Sequence, residues 1–221
     1  MVHLPRITKL LLFILTGVYL LELVFPEQLF AYFALWPWGQ HAIGTATDGS
    51  LITTGFYPWQ LLTYAFLHDT QNFAHLFFNA IALFQFGAVL EQTWGPKRYI
   101  QYLLACTIGA GCIQLLLVSS GILGSGIYPT VGASGGIFGL LLAYGMLFPN
   151  HQMMLIIPPI PMKARTMVII FGVISLLMGV TGTQAGIAHF AHLGGMLFGW
   201  LMIRYWRGQP PFRKRGPRLV K

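Results

Sequence analysis

Four polar residues, from three distant stretches of the sequence, are of the types needed for acyl transfer. Ser134 stands among glycines in the segment Gly132-Ala133-Ser134-Gly135-Gly136, which opens an apolar run. His192 supplies an imidazole that can act as a general base toward a serine hydroxyl. His75 and Asn79 lie one helical turn apart and carry N–H groups that can stabilise an oxyanion. The set has a function only if the fold brings these residues together.

The composition indicates that transmembrane helices position these residues. Of the 221 residues, 56% are hydrophobic and only 8% are charged, and the mean hydropathy is +0.68. A water-soluble fold cannot bury so much apolar surface at this length, whereas a polytopic membrane protein requires it. The long uninterrupted apolar runs also exclude an outer-membrane barrel, whose strands alternate apolar and polar residues.

The predicted fold class is therefore an all-α polytopic membrane protein with six transmembrane helices. The apolar runs place the spans at about 7–25, 73–92, 99–118, 131–148, 166–180 and 187–206. Residues 1–206 would form this membrane domain, and residues 207–221 would form a basic tail. The long connection 26–71 is rich in aromatic residues, so we expect it to lie partly in the membrane interface.

The charges favour one orientation in the membrane. With six spans, all 13 lysines and arginines lie on one side, which the positive-inside rule makes cytoplasmic, together with both termini. The net charge of +8 then reflects topology rather than nucleic-acid binding. The run Arg213-Lys214-Arg215 is expected to anchor that topology, and Glu91, near Arg98, to anchor the cytoplasmic end of the second span.

The candidate site residues share one depth in this arrangement. The second, fourth and sixth spans all enter from the outside, and at about 1.5 Å per residue their polar residues lie roughly 5–10 Å below that boundary. Glycines of the fourth and sixth spans would let the two helices approach closely. We therefore predict that His192 reaches Ser134. Asp69 lies nearer the surface and Glu91 at the opposite end of its span, so the prediction is a Ser–His dyad rather than a triad.

Four stretches resemble motifs of the rhomboid family of intramembrane serine proteases. Gly132-Ala133-Ser134-Gly135 resembles the GxSG nucleophile motif, and Ala191-His192-Leu193-Gly194-Gly195, followed by Gly199, resembles the AHxxGxxxG base motif. His75-Leu76-Phe77-Phe78-Asn79 resembles the HxxxN motif, and Phe66-Leu67-His68 resembles another recurring stretch. Together they extend over most of residues 57–202.

This resemblance implies roles for individual residues. Ser134 would be the nucleophile and His192 the base, while His75, Asn79 and the Ser134 amide would form the oxyanion hole. The supporting residues would be Gly132, Phe138, Gly195 and Gly199, with Phe138 packing on the catalytic histidine. In some members Trp-Arg occurs in the first loop, whereas here Trp59 is followed by Gln60. The resemblance therefore does not predict the hydrogen bonds of that loop.

The resemblance also implies an intramembrane endopeptidase without a cofactor. Its substrates would be transmembrane proteins arriving through the lipid bilayer, and its location is expected to be a bacterial inner membrane. The alternative from another class is a non-catalytic rhomboid-like protein that binds or escorts membrane proteins, although such relatives typically lack the serine or the histidine. A small transporter would show an internal repeat, which the sequence does not.

The other histidines suggest a metal site as a further alternative. His189 and His192, with His68 and His75, could bind zinc, but HExxH is absent and no carboxylate shares their layer. We expect His189 to be a structural or rim residue and His68 to form hydrogen bonds within its loop.

Overall fold

The structure is a computed structural model that describes residues 4–45, 47–121, 129–154, 159–181 and 188–212. It is mostly helical. The helices, in chain order, are α1 (Arg6–Val24), α2 (Pro26–Phe33), α3 (Gln60–Thr63), α4 (Phe73–Trp94), α5 (Pro96–Ser119), α6 (Ser134–Leu147), α7 (Ala164–Thr181) and α8 (His189–Trp206). A π-helical turn, Leu83–Gly87, interrupts α4.

Four of these helices, α1, α4, α5 and α7, are long and apolar enough to cross a membrane. The chain is therefore an integral, multi-pass membrane protein. Helix α6 is apolar but has only 14 residues, and α8 has 18 residues. The count of six spans stays a prediction.

The helices begin and end within three residues of the six predicted spans. The largest differences, of three residues, are at the starts of the third and fourth spans. Helix α6 begins at Ser134 rather than near Val131. Gly132 has φ +117°, a conformation that a helix cannot contain. Helix α5 begins earlier than predicted, at Pro96, since proline suits the first position of a helix. The predicted start of the sixth span at Ile187 and the run Arg213–Arg215 lie outside the described residues.

The connection 26–71 contains regular secondary structure. Besides α2 and α3 it contains an antiparallel hairpin of β1 (Gln40–Thr45) and β2 (Leu51–Gly55), and a 3-10 turn at Tyr64–Phe66. A second, short hairpin of β3 (Gln152–Met154) and β4 (Pro161–Lys163) follows α6.

Gln60 organises the first connection. Its side chain is fully buried, and its Oε1 accepts hydrogen bonds from the backbone amides of Trp36 and Tyr57, both at 3.2 Å. Its Nε2 donates to the carbonyls of Tyr32 at 3.3 Å and Gly55 at 3.1 Å. A neutral amide therefore supplies the hydrogen bonding at the position following Trp59.

Glu91 anchors α1 to α4 rather than pairing with Arg98. Its carboxylate accepts from the backbone amides of Ile7 at 2.9 Å and Thr8 at 2.7 Å, and from the Thr8 hydroxyl at 2.8 Å. The first N–H groups of a helix have no intrahelical acceptor, and a negative charge there is favourable. The partner of Glu91 is thus the N-terminus of α1.

Candidate active site

Helices α6 and α8 touch through their backbones. A Cβ placed on Gly195 would lie 2.7 Å from the carbonyl carbon of Gly135, and one on Gly139 would lie 3.1 Å from the Gly195 oxygen. Small residues permit such approach between membrane helices. The Tyr102 hydroxyl of α5 donates to the Gly139 carbonyl at 2.8 Å, which fixes α6 against α5 as well.

This contact places the N-terminal ends of α6 and α8 side by side. Ser134 is the first residue of α6, and its Oγ lies 2.7 Å from Nε2 of His192, within hydrogen-bond range. The His192 ring stacks on Phe138, with centroids 4.1 Å apart and an interplanar angle of 6°. Phe138 therefore fixes the plane in which the imidazole faces the serine.

The second nitrogen of His192 is buried. In the part of the chain that the structure describes, the buried Nδ1 has no hydrogen-bond partner. When Nε2 accepts from a serine hydroxyl, the neutral ring carries its hydrogen on Nδ1. The orientation of the ring therefore comes from stacking on Phe138.

His75 and Asn79 of α4 face the same place from the other side. A Cβ on Gly132 would lie 2.6 Å from His75 Nε2 and 3.9 Å from Asn79 Nδ2. Both nitrogens therefore point at the backbone two residues before Ser134. Gly132 is required here twice over: its φ of +117° is strained for other residues, and a side chain would fill the space in front of His75.

The first connection holds the segment that leads into Ser134. The carbonyl of Tyr64 accepts a hydrogen bond from Gly132 N at 2.9 Å, and Leu35 and Thr130 exchange two backbone hydrogen bonds of 2.9 Å each. The Tyr64 hydroxyl in turn donates to the Thr107 carbonyl of α5 at 2.8 Å. Tyr64 could not be predicted from the sequence, since no local pattern marks a carbonyl that bonds to a distant glycine.

The two remaining histidines near the site are both buried. His189 is 7% exposed, and its ring stands at 88° to that of His192, 6.0 Å away; the position is interior rather than at a rim. The His68 ring contacts the Phe66 carbonyl through Nδ1 at 3.3 Å. Burial, together with the neighbouring His75, lowers the pKa of His68 to about 4, so its ring is neutral at neutral pH.

Comparison with known proteins supports one family. The Rhomboid domain model matches residues 56–208. Rhomboid protease GluP of Bacillus subtilis is 34% identical over 157 residues, covering 70% of this chain and 27% of that protein. Rhomboid protein 1, mitochondrial, of Saccharomyces cerevisiae is 31% identical over 154 residues, covering 63% of this chain and 40% of that protein.

A third relative, Rhomboid protease AarA of Providencia stuartii, is 29% identical over 154 residues, covering 65% of this chain and 54% of that protein. The chain thus spans less than two thirds of the length of each of these relatives. The family model, however, covers more than half of the chain, including the segments that carry Ser134, His192, His75 and Asn79. The chain therefore belongs to the rhomboid family.

Proposed function

We propose that this protein is an intramembrane serine endopeptidase that cleaves transmembrane segments of other membrane proteins. The observation that carries the proposal is the 2.7 Å contact between Ser134 Oγ and His192 Nε2. Membership of the rhomboid family, in which the relatives GluP and AarA are named as proteases, supports the same conclusion.

The reaction follows from the positions of these atoms. Ser134 Oγ attacks the scissile carbonyl carbon while its proton passes to His192 Nε2. Collapse of the tetrahedral intermediate breaks the C–N bond, and His192 returns the proton to the leaving amine. Water then attacks the acyl-enzyme with His192 again as base, releasing the second product and restoring Ser134.

The oxyanion of each tetrahedral intermediate accepts hydrogen bonds from three groups. One is the backbone N–H of Ser134, since amides of the first helical turn lack intrahelical acceptors. The second is Nε2 of His75, which faces the backbone at Gly132. The third is Asn79 Nδ2, which has two hydrogens: one is donated to the His75 carbonyl at 2.9 Å, and the other remains for the oxyanion.

We further propose that α6 and α8 complete a six-helix membrane domain, with both termini cytoplasmic and a bacterial inner membrane as its location. Substrates enter laterally beside α7. Only 17% of the most apolar part of α7 is buried, against 44% for α5, so α7 is the more easily displaced. The ring of Phe171 on α7 lies 6.2 Å from that of Phe138, which places this helix next to the stacked imidazole.

The test is cleavage of a transmembrane reporter with a helix-destabilised segment, reconstituted with the purified protein in liposomes. The wild type is expected to cut the reporter, and Ser134→Ala and His192→Ala to leave it intact. Ser120→Ala is the matched control, because this exposed hydroxyl bonds back to the Leu117 carbonyl of its own helix, and it should cleave normally. Undiminished cleavage by Ser134→Ala refutes the proposal. If the wild type binds the reporter without cutting it, the alternative of a binding or escort protein is favoured.

A further inference from the structure

Glu22 is a buried carboxylate within α1 that has no part in the reaction above. It is 4% exposed, and its two carboxylate oxygens accept from one group, the backbone N–H of His68, at 3.1 and 3.0 Å. Placing an ionisable side chain inside a membrane helix is costly, and such residues usually serve a function. The contact joins α1 to the segment that precedes α4.

That segment leads directly to His75. The backbone N–H of Asp69, the residue after His68, donates to His75 Nδ1 at 3.2 Å. The His68 ring also packs against the His75 ring, with centroids 5.0 Å apart. Asp69 Oδ1 and Asp69 O accept from the amides of Gln71 at 2.9 Å and Asn72 at 3.2 Å, so the turn that carries the Asp69 amide is internally braced.

The Asp69 amide determines which ring nitrogen of His75 carries a hydrogen. Because Nδ1 accepts this hydrogen bond, the neutral ring must carry its hydrogen on Nε2. Nε2 is the nitrogen that faces the backbone at Gly132. Without the amide, the ring can rotate or adopt the other tautomer, and Nε2 then presents a lone pair to an oxyanion.

We propose that Glu22 is a positioning residue: through the backbone of His68 and Asp69 it holds His75 as an Nε2–H donor toward the oxyanion. This inference rests on the proposed proteolytic function. It adds to that function a residue on α1, remote from Ser134 in sequence, that acts on catalysis through His75.

The experiment measures kcat and KM for reporter cleavage in liposomes. Glu22→Leu and Glu22→Ala remove the acceptor of the His68 N–H. They should lower kcat about 10- to 100-fold and leave KM within about threefold, because a misplaced His75 loses at most the stabilisation that this oxyanion donor supplies. Glu22→Gln retains an acceptor oxygen and should stay within about threefold of wild type. The matched control is Glu27→Leu, which removes an exposed acid of α2 and should leave both constants unchanged.

Two further variants isolate the route through His75. Asp69→Pro, at an exposed position, deletes the donated N–H itself and should lower kcat as Glu22→Leu does. In a His75→Ala background, Glu22→Leu should cause no additional fall, because the group on which it acts is gone.

The outcomes separate this inference from the function on which it rests. If the wild type shows no Ser134-dependent cleavage, the proposed function itself is wrong. If the wild type cleaves and Glu22→Leu or Asp69→Pro cleaves equally fast, or if the Glu22 effect is fully additive with His75→Ala, the positioning role is overturned. Failure of both Glu22→Leu and Glu22→Ala to fold assigns Glu22 a purely structural role and likewise overturns it.

Discussion

The substitution Gly195→Ala tests whether catalysis depends on backbone contact between α6 and α8. The added Cβ would lie 2.7 Å from the Gly135 carbonyl carbon, where ordinary contacts begin at 3.4 Å, and the obstructing atoms belong to backbone that cannot rotate away. The Gly135 carbonyl oxygen lies closer still to that position, so the helices must separate by more than the distance of about 0.7 Å that the carbon alone would require. If this shift is transmitted one turn along α8, the 2.7 Å contact between Ser134 and His192 lengthens beyond about 3.4 Å, outside the usual range for a hydroxyl donor.

Two quantities follow for this variant. A displacement approaching 1 Å between nucleophile and base should lower kcat about 100-fold. Overpacking should lower the free energy of unfolding by about 1–3 kcal/mol. The assay is reporter cleavage in liposomes, normalised to folded protein, with unfolding followed by denaturant titration in detergent.

The matched control for this test is Gly172→Ala in α7. Its Cβ would meet Met196 Cε at 3.4 Å, the end of a flexible side chain, so both activity and stability should match the wild type. A Gly195→Ala protein with wild-type kcat and unchanged stability would refute the reasoning, because it would show that the two helices do not need this clearance.

Three further predictions concern groups that hold the site or the fold. Asn79→Ala removes an oxyanion donor and should lower kcat about 10- to 1,000-fold with little change in KM; unchanged turnover contradicts that role. Gln60→Ala removes four hydrogen bonds to backbone groups, although the Tyr32 carbonyl keeps another donor, Trp59 Nε1. It should lower the free energy of unfolding by about 2–4 kcal/mol and expose the first connection to limited proteolysis. Gln60→Glu, which keeps only the acceptor, should be intermediate, and an alanine variant as protease-resistant as wild type argues against this role. Glu91→Ala should lower the free energy of unfolding by about 2–4 kcal/mol, because it leaves the first amides of α1 unpaired. Glu91→Gln should lower this free energy by a smaller amount. Equal losses of stability for the two variants would contradict the role of the Glu91 carboxylate at the N-terminus of α1.

The sequence predicted the bounds of six helices to within three residues because each of them coincides with an apolar run. Four of these helices also have the length that a membrane crossing requires. The sequence also predicted that Ser134, His192, His75 and Asn79 would meet, since depth along a helix can be read from residue number. The structure brings these four side chains together, while their catalytic roles stay predictions.

Other features could not be predicted, because they depend on contacts between distant segments. Glu91 and the N-terminus of α1 are separated by more than 80 residues, and nothing near either one identifies the other. Glu22 and the His68 amide are likewise distant, 46 residues apart. The β1–β2 hairpin lacks a clear alternation of apolar and polar residues, and Gln60 resembles any polar loop residue until its four partners are known.

The central claim is that Ser134 is a nucleophile activated by His192. The most direct measurement is reaction of the liposome-reconstituted protein with a fluorophosphonate probe, followed by mass spectrometry of the modified peptide. We expect a single adduct on Ser134, absent from Ser134→Ala and formed much more slowly in His192→Ala. An adduct on another residue, or labelling of Ser134 at an undiminished rate in His192→Ala, would contradict it.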